Sequence, residues 1–152
     1  MRILAAVLGV FLLVPCATAQ SNADGLAICE MIGRNIRMLV KFTNTECFPA
    51  AGKNGGLDII LVATEPVFAQ EVTRKGWLMV AVAATAMATE QSRARTERLL
   101  LSDSSLVVDR KGYAIDTAVA RRIRGRMKAE LLTLDEAVQE INNALTKFTV
   151  QR

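Results

Sequence analysis

The chain of 152 residues carries a formal net charge of +4 and contains no histidine. Without histidine, no serine or cysteine nucleophile can work through an imidazole base, and zinc sites built on that ligand are excluded. The basic excess consists of interspersed charges, which favours solubility and does not by itself indicate nucleic-acid binding. Only 5% of the residues are aromatic although 51% are hydrophobic, a composition typical of a helix-rich globular domain.

Residues 1–19 have the pattern of a signal peptide: a basic start at Arg2, an apolar block from Ile3 to Val14 and a small-residue cleavage motif that ends at Ala19. We expect cleavage near Ala19, export to the periplasm or the medium, and one α+β domain over residues 20–152. An alternative is that Cys16 carries a lipid anchor, but Pro15 stands where lipid-attachment motifs prefer a small residue.

Two cysteines, Cys29 and Cys47, remain after removal of the leader, in a compartment where disulfides persist. We predict that they form an intramolecular bridge. A reactive or metal-binding pair is disfavoured because the spacing is not C-x-x-C and histidine is absent. No metal and no other cofactor is predicted.

The first helix is predicted over Gly25–Lys41 with Asp24 as its cap, because apolar residues recur there at helical spacing. The alternation of Ile36–Phe42 would also suit a strand. Turn residues dominate Phe48–Gly56, and the β-branched run Leu57–Ala63 then predicts an inner strand with two apolar faces.

The apolar run Gly76–Ala88 falls short of the roughly 20 residues that cross a bilayer and exceeds a usual strand. It predicts a buried helix around which the domain packs. We place this helix from Pro66 to about Arg93, loosened at Gly76. A buried strand over Trp77–Val82 is the alternative.

A charged connector, Ser92–Arg98, leads into a short buried strand at Leu99–Leu101. Next, Leu106–Val108 and Tyr113–Ile115 predict a hairpin around a type I turn, with Asp109 first and Gly112 last.

Two amphipathic helices follow. The first, Ala118–Leu131, is capped by Asp116 or Thr117, and the second opens with the capping box Thr133–Glu136 and runs to Leu145. Residues 146–152 fray or add a strand. Three or four helices on a small mixed β-sheet, with one disulfide, make up the predicted fold.

The basic helix is the first candidate contact surface. Arg121, Arg124 and Lys128 flank one side of its apolar stripe, where they suit an acidic partner protein or anionic lipid headgroups. The alternative is that the arginine stems lie over the core edge and the heads are solvated.

The second candidate is the loop region that carries Asp103, Asp109 and Asp116, together with Tyr113, the only tyrosine. Paired carboxylates perform acid and base catalysis when their pKa values are separated. Each aspartate also fits a structural role, at a strand end, a turn start and a helix cap.

The sequence therefore favours a non-catalytic exported protein that binds an envelope protein or a small ligand, and no nucleic acid. Its oligomeric state is open. Two alternatives remain: a hydrolase or lyase based on the three aspartates, and a peripheral membrane protein that binds anionic lipid through the basic helix.

Overall fold

The computed structural model describes residues 21–38 and 44–149. Four helices pack with one five-stranded mixed sheet, so the predicted α+β fold is confirmed. The helices are α1 (residues 21–38), α2 (Glu71–Gln91), α3 (Thr117–Lys128) and α4 (Leu134–Ala144), and the strands are β1 (Thr45–Ala51), β2 (Leu57–Ala63), β3 (Thr96–Asp103), β4 (Lys111–Asp116) and β5 (Thr146–Thr149). The predicted leader, with Cys16, lies outside these residues.

The strands follow chain order across the sheet, from β1 at one edge to β5 at the other. Three neighbouring pairs are antiparallel, and β2 and β3 are parallel. A parallel pair needs a crossover connection, and α2 provides it. The strand predicted at Leu57–Ala63 is β2, which has a neighbour on each side as expected.

Helix α2 is the centre of the domain. From Trp77 to Thr89 every residue is buried or half-buried. The helix prediction for this run is therefore confirmed, and the strand alternative over Trp77–Val82 is wrong. No helix in residues 21–38 or 44–149, α2 included, combines the length and hydrophobicity of a bilayer span.

The predicted start of this helix at Pro66 is wrong. A 3-10 turn covers Val67–Ala69, Gln70 is extended, and α2 begins only at Glu71. The reason lies in the neighbouring strand: the Asp103 carboxylate accepts the Phe68 N–H at 2.9 Å, which ties the turn to the end of β3.

All four helices lie on one face of the sheet. Alternate residues of a strand point to the same face of the sheet, and in each strand the residues that enter the main core are alternate ones. The buried strand residues of this core are Leu57, Ile59, Leu61, Ala63, Leu99, Leu101 and Ile115, together with residues from every helix. Helix α1 is also joined to α2 by the Asn35 amide, which donates to the Ala84 carbonyl at 3.4 Å.

Cys29 of α1 and Cys47 of β1 form the predicted disulfide, with their Cα atoms 5.4 Å apart. One detail of α1 differs from expectation. The chain is already helical at residue 21, so Asp24 lies within the helix and is not its cap. Residues 36–38 are helical, as predicted, so the strand alternative is wrong for them, and residues 39–43 lie outside the described ranges.

Strand β1 was not predicted, because Phe48–Gly56 has the composition of a turn. Pro49 is accommodated in β1 because this strand is at the sheet edge and pairs only with β2. The turn is limited to the end of the range, where the Glu97 carboxylate accepts the N–H groups of Asn54 and Gly56, the latter at 2.7 Å. These hydrogen bonds fix the β1–β2 hairpin against β3. Strand β3 begins at Thr96, within the predicted connector Ser92–Arg98.

The predicted hairpin at Leu106–Ile115 is wrong in its first half. Strand β4 pairs with β3 and not with Leu106–Val108, and Val107–Asp109 is a 3-10 turn. The Asp103 carboxylate is the cause, since it accepts the N–H groups of Ser105 and Leu106 at 3.0 and 2.9 Å. These bonds coil the chain directly after β3.

Helix α3 ends at Lys128, before the predicted Leu131. Glu130 adopts a left-handed conformation (φ 58°), and the Leu131 N–H returns to the Arg126 carbonyl at 2.9 Å, as in a Schellman motif. The capping box of Thr133 and Glu136 is present and opens α4. The strand expected near the end is β5, and residues 150–152 lie outside the described ranges.

We predict that replacing both bridged cysteines, as in Cys29→Ser with Cys47→Ser, lowers the free energy of unfolding by about 3 kcal/mol, because the bridge closes a loop and restricts the unfolded chain. Urea titration of the variant and of the oxidised wild type measures the difference. Reduced wild type should match the variant, and equal stability of the oxidised and reduced forms would contradict the prediction.

Candidate functional site

Most of the predicted contact residues of the basic helix α3 bind other residues of the same chain. The Arg124 guanidinium binds Glu90 of α2 at 2.5 Å, and Arg121 donates to the Thr96 hydroxyl at 3.3 Å. Arg126 forms an ion pair with Glu140 of α4. Of the three residues predicted to contact a partner, only Lys128, at the end of the helix, is exposed.

The three candidate aspartates lie in different surroundings. Asp109 lies on the surface, 3.4 Å from the Lys111 amine. Asp116 pairs in register with Arg98, whereas Asp103 lies five residues further along β3. At about 3.3 Å per residue this places Asp103 and Asp116 roughly 17 Å apart along the strand direction. The register therefore keeps the Asp103 and Asp116 carboxylates apart, and Asp109 is exposed whereas Asp103 is buried.

The burial and hydrogen bonds of Asp103 indicate a structural role. Its side chain is fully buried and accepts four hydrogen bonds, from the Ser105 hydroxyl and from the N–H groups of Phe68, Ser105 and Leu106. Burial raises the pKa of this carboxyl, but the hydrogen bonds outweigh it and hold the pKa below its ordinary value. Asp103 is thus a charged anchor that joins the 3-10 turn, β3 and the following loop.

Tyr113 belongs to a cluster of aromatic rings around a guanidinium, which we call the Arg74 cluster: Phe68, Arg74, Trp77, Tyr113 and Asn142. The Phe68 ring lies 4.9 Å from the Tyr113 ring and 5.5 Å from the Trp77 ring, between centroids. The Arg74 guanidinium lies over Tyr113 at 5.4 Å and near Phe68 at 6.0 Å. Three members of the cluster, Phe68, Arg74 and Asn142, line a depression of about 480 Å³ between the 3-10 turn, α2 and α4.

No described helix packs on the sheet face opposite the main core, and we call this face the open face. Its middle row runs from Phe48 through Ile60 and Leu100 to Ala114, which are paired across neighbouring strands. Leu100 and Ala114 are buried by their surroundings but lie outside the main core, while Phe48 is 47% exposed. The apolar row is therefore exposed at its β1 end, at Phe48, and becomes buried toward Leu100 and Ala114.

A charged row borders the apolar row. Asp58 of β2 is almost fully buried and forms an ion pair with Arg98 of β3, which also faces Asp116 in register. The hydrogen bond from Arg98 to Asp58 and the nearby carboxylates raise the pKa of Arg98, against the effect of burial. Glu46 is exposed at the opposite border of this face. Three carboxylates and one guanidinium therefore surround the apolar row.

Sequence reasoning found Tyr113 but neither the Arg74 cluster nor the open face. Arg74 stands in the sequence as part of a charged lead-in to the apolar run, and nothing local indicates that Phe68 and Asn142 meet it. Phe48 was assigned to a turn. The alternation of Glu46, Phe48 and Ala50 with Cys47 and Pro49 was the available signal for β1.

Within residues 21–38 and 44–149, no three cysteine, aspartate or glutamate side chains are placed to hold a metal ion. Comparison of the chain with protein-family models, curated proteins and solved structures found no match.

We predict that Asp103→Asn lowers the free energy of unfolding by about 3 kcal/mol at pH 7, because an amide cannot serve all the donors that the carboxylate accepts. The folded protein holds this pKa below its unfolded value, so the contribution is complete above about pH 4 and disappears as the pH falls through the folded pKa. Urea titrations of both proteins over this pH range measure the difference. A deficit that stays constant into acid would contradict the assignment.

Proposed function

We propose that this chain is a non-catalytic interaction domain that works outside the cytoplasm and binds a partner protein on the open face of its sheet. The observation that carries the proposal is the apolar row Phe48, Ile60, Leu100 and Ala114, on the face that no described helix covers. When one face of an antiparallel sheet packs on the core, the opposite face usually carries polar residues that contact water. Exposed apolar patches bordered by polar residues are typical of protein contact sites.

Charge specifies the chemistry of the partner. The open face carries Glu46, Asp58 and Asp116 against a single base, Arg98. The Asp58 charge is met by Arg98, which leaves the two exposed acids as the outer charges. A partner with an apolar contact surface and basic residues at its border suits this arrangement, since complementary charge guides docking and opposes wrong partners.

Export is supported by the leader pattern of residues 1–19 and is compatible with the disulfide between Cys29 and Cys47, because such bonds persist in oxidising compartments. A non-catalytic role is supported by the absence of histidine and by the separation of Asp103 from Asp116.

The alternatives have weaker support. A carboxylate enzyme would need two of the three aspartates in one pocket. A lipid-binding basic helix would need free arginines, whereas Arg121 and Arg124 bond to Thr96 and Glu90. Both alternatives therefore rank below the interaction domain.

Photocrosslinking tests the proposal. We expect benzoylphenylalanine at position 48, which replaces one aromatic side chain by another, to give a covalent adduct with a second protein in intact producing cells. The same group at position 72 should not, although Val72 is 85% exposed, because it lies on α2 at the helical side of the sheet. Gel shifts and mass spectrometry identify the products.

A charge pair provides the matched control. In the position 48 background, Asp116→Lys should lower the adduct yield several-fold, whereas Asp109→Lys, an equal change at another exposed acid, should leave it unchanged. No adduct from position 48 would overturn the proposal. An adduct with the mass of two copies of this chain would replace the foreign partner by self-association.

A further inference from the structure

Arg74 lacks the carboxylate partner that three other partly buried arginines of the described chain have. Arg98, Arg124 and Arg126 each bind a carboxylate of a neighbouring element. Arg74 is half-buried, and within the described residues its guanidinium donates to a neutral amide, the Asn142 Oδ1, at 3.1 Å. Its Nε is buried without a hydrogen-bond partner in the described part of the chain. A buried charged donor without a hydrogen-bond partner destabilises the folded protein, and a bound anion that accepts from the guanidinium would offset this cost.

The surroundings hold the guanidinium in place. Asn142 donates from its Nδ2 to the Val138 carbonyl at 3.0 Å, which turns its Oδ1 toward Arg74. The rings of Tyr113 and Phe68 lie beside the guanidinium. Phe68 is held in turn by the hydrogen bond that its backbone N–H donates to the Asp103 carboxylate. Because the Arg74 guanidinium and its neighbours are held in place, little conformational freedom is lost when a ligand binds.

The charges nearby favour an anion. Glu71 and Lys75, which border the depression, neutralise each other in an ion pair at 2.9 Å. Asp135 acts electrostatically on Lys75 but does not line the depression. Of the three charged side chains that line it, Arg74 is the one without an ion pair in the described part of the chain, so the lining carries a net charge of +1.

We infer that the depression beside Arg74 is a binding site for an organic carboxylate with a small apolar body. The guanidinium matches the two oxygens of a carboxylate, and the ring of Phe68, which lines the depression, offers apolar contact. A volume of about 480 Å³ suits a small molecule or the last residues of a peptide. This site lies on the helical side of the sheet and does not depend on the function proposed for the open face.

Titration with defined acids tests the site on the full oxidised protein. The probes are 3-phenylpropionate and the peptide N-acetyl-Ala-Ala-Phe, each beside its neutral amide, with inorganic phosphate as a third anion. We expect both acids to bind and both amides to bind at least about tenfold more weakly, the scale of a lost charge-assisted contact. Calorimetry and amide chemical shifts give the affinities and the location. Tighter binding of the peptide acid would identify chain ends as the source of the carboxylate, and tighter binding of phenylpropionate would identify free acids.

Two substitutions separate ligand binding from a purely structural role of Arg74. Arg74→Met should abolish acid binding, while Arg34→Met, which removes an exposed arginine of α1, should not change it. Asn142→Asp places a carboxylate where the amide now contacts Arg74, so it should block acid binding while the protein stays folded and at least as stable to urea.

The site is overturned if neither acid binds up to about 10 mM, if acids and amides bind equally, or if acid binding is unchanged in a folded Asn142→Asp protein. If Arg74→Met fails to fold, the Asn142→Asp result decides alone. Stronger binding of phosphate than of both acids would also reject the carboxylate assignment.

Discussion

The burial of α2 is the constraint from which the rest of the architecture follows. Its residues from Trp77 to Thr89 are apolar or small around the whole circumference, so the helix must be enclosed by protein on all sides. The sheet supplies one wall, and α1, α3 and α4 supply the others. Because every helix is needed around α2, all four gather on one face of the sheet and none is left for the other. The open face is a consequence of this arrangement.

The small residues of α2 also determine how closely its neighbours approach. Alanines at 81, 84, 86 and 88 are fully buried, which lets the flanking helices pack near the α2 backbone. The bond from Asn35 to the Ala84 carbonyl is possible only at such short range. The disulfide then attaches α1 to the edge strand β1, so that the outermost layer of the core is linked covalently to the sheet. Packing and crosslink thus act on the same layer.

Charged residues that look available in the sequence are largely engaged within the fold. Arginines at the borders of an amphipathic helix have long side chains, and they reach acids on the adjacent helices, as Arg124 reaches Glu90 and Arg126 reaches Glu140. Asp103 coils the loop after β3 and anchors the turn before α2. Arg74 forms no such ion pair in the described part of the chain, and its neighbours include an amide and aromatic rings. Charge in the sequence is therefore a weaker guide to binding than the absence of an opposite charge in space.

The sequence by itself determined the features that depend on local pattern. The apolar run Gly76–Ala88 required a buried helix, the β-branched run Leu57–Ala63 an inner strand, and Thr133 with Glu136 a helix start, because each rests on contacts a few residues apart. The cysteine pair was also identifiable, since no other cysteine remained beyond the leader.

The tertiary structure alone decided which strands pair and what the side chains meet. β1 is held by pairing with β2 despite Pro49, and β4 pairs with β3 because Asp103 diverts the intervening chain. The Arg74 cluster joins residues from the 3-10 turn, α2, β4 and α4, and the open face joins residues from β1 to β5. Long-range contacts of this kind leave no periodicity in the sequence, so neither surface is visible before the chain is folded.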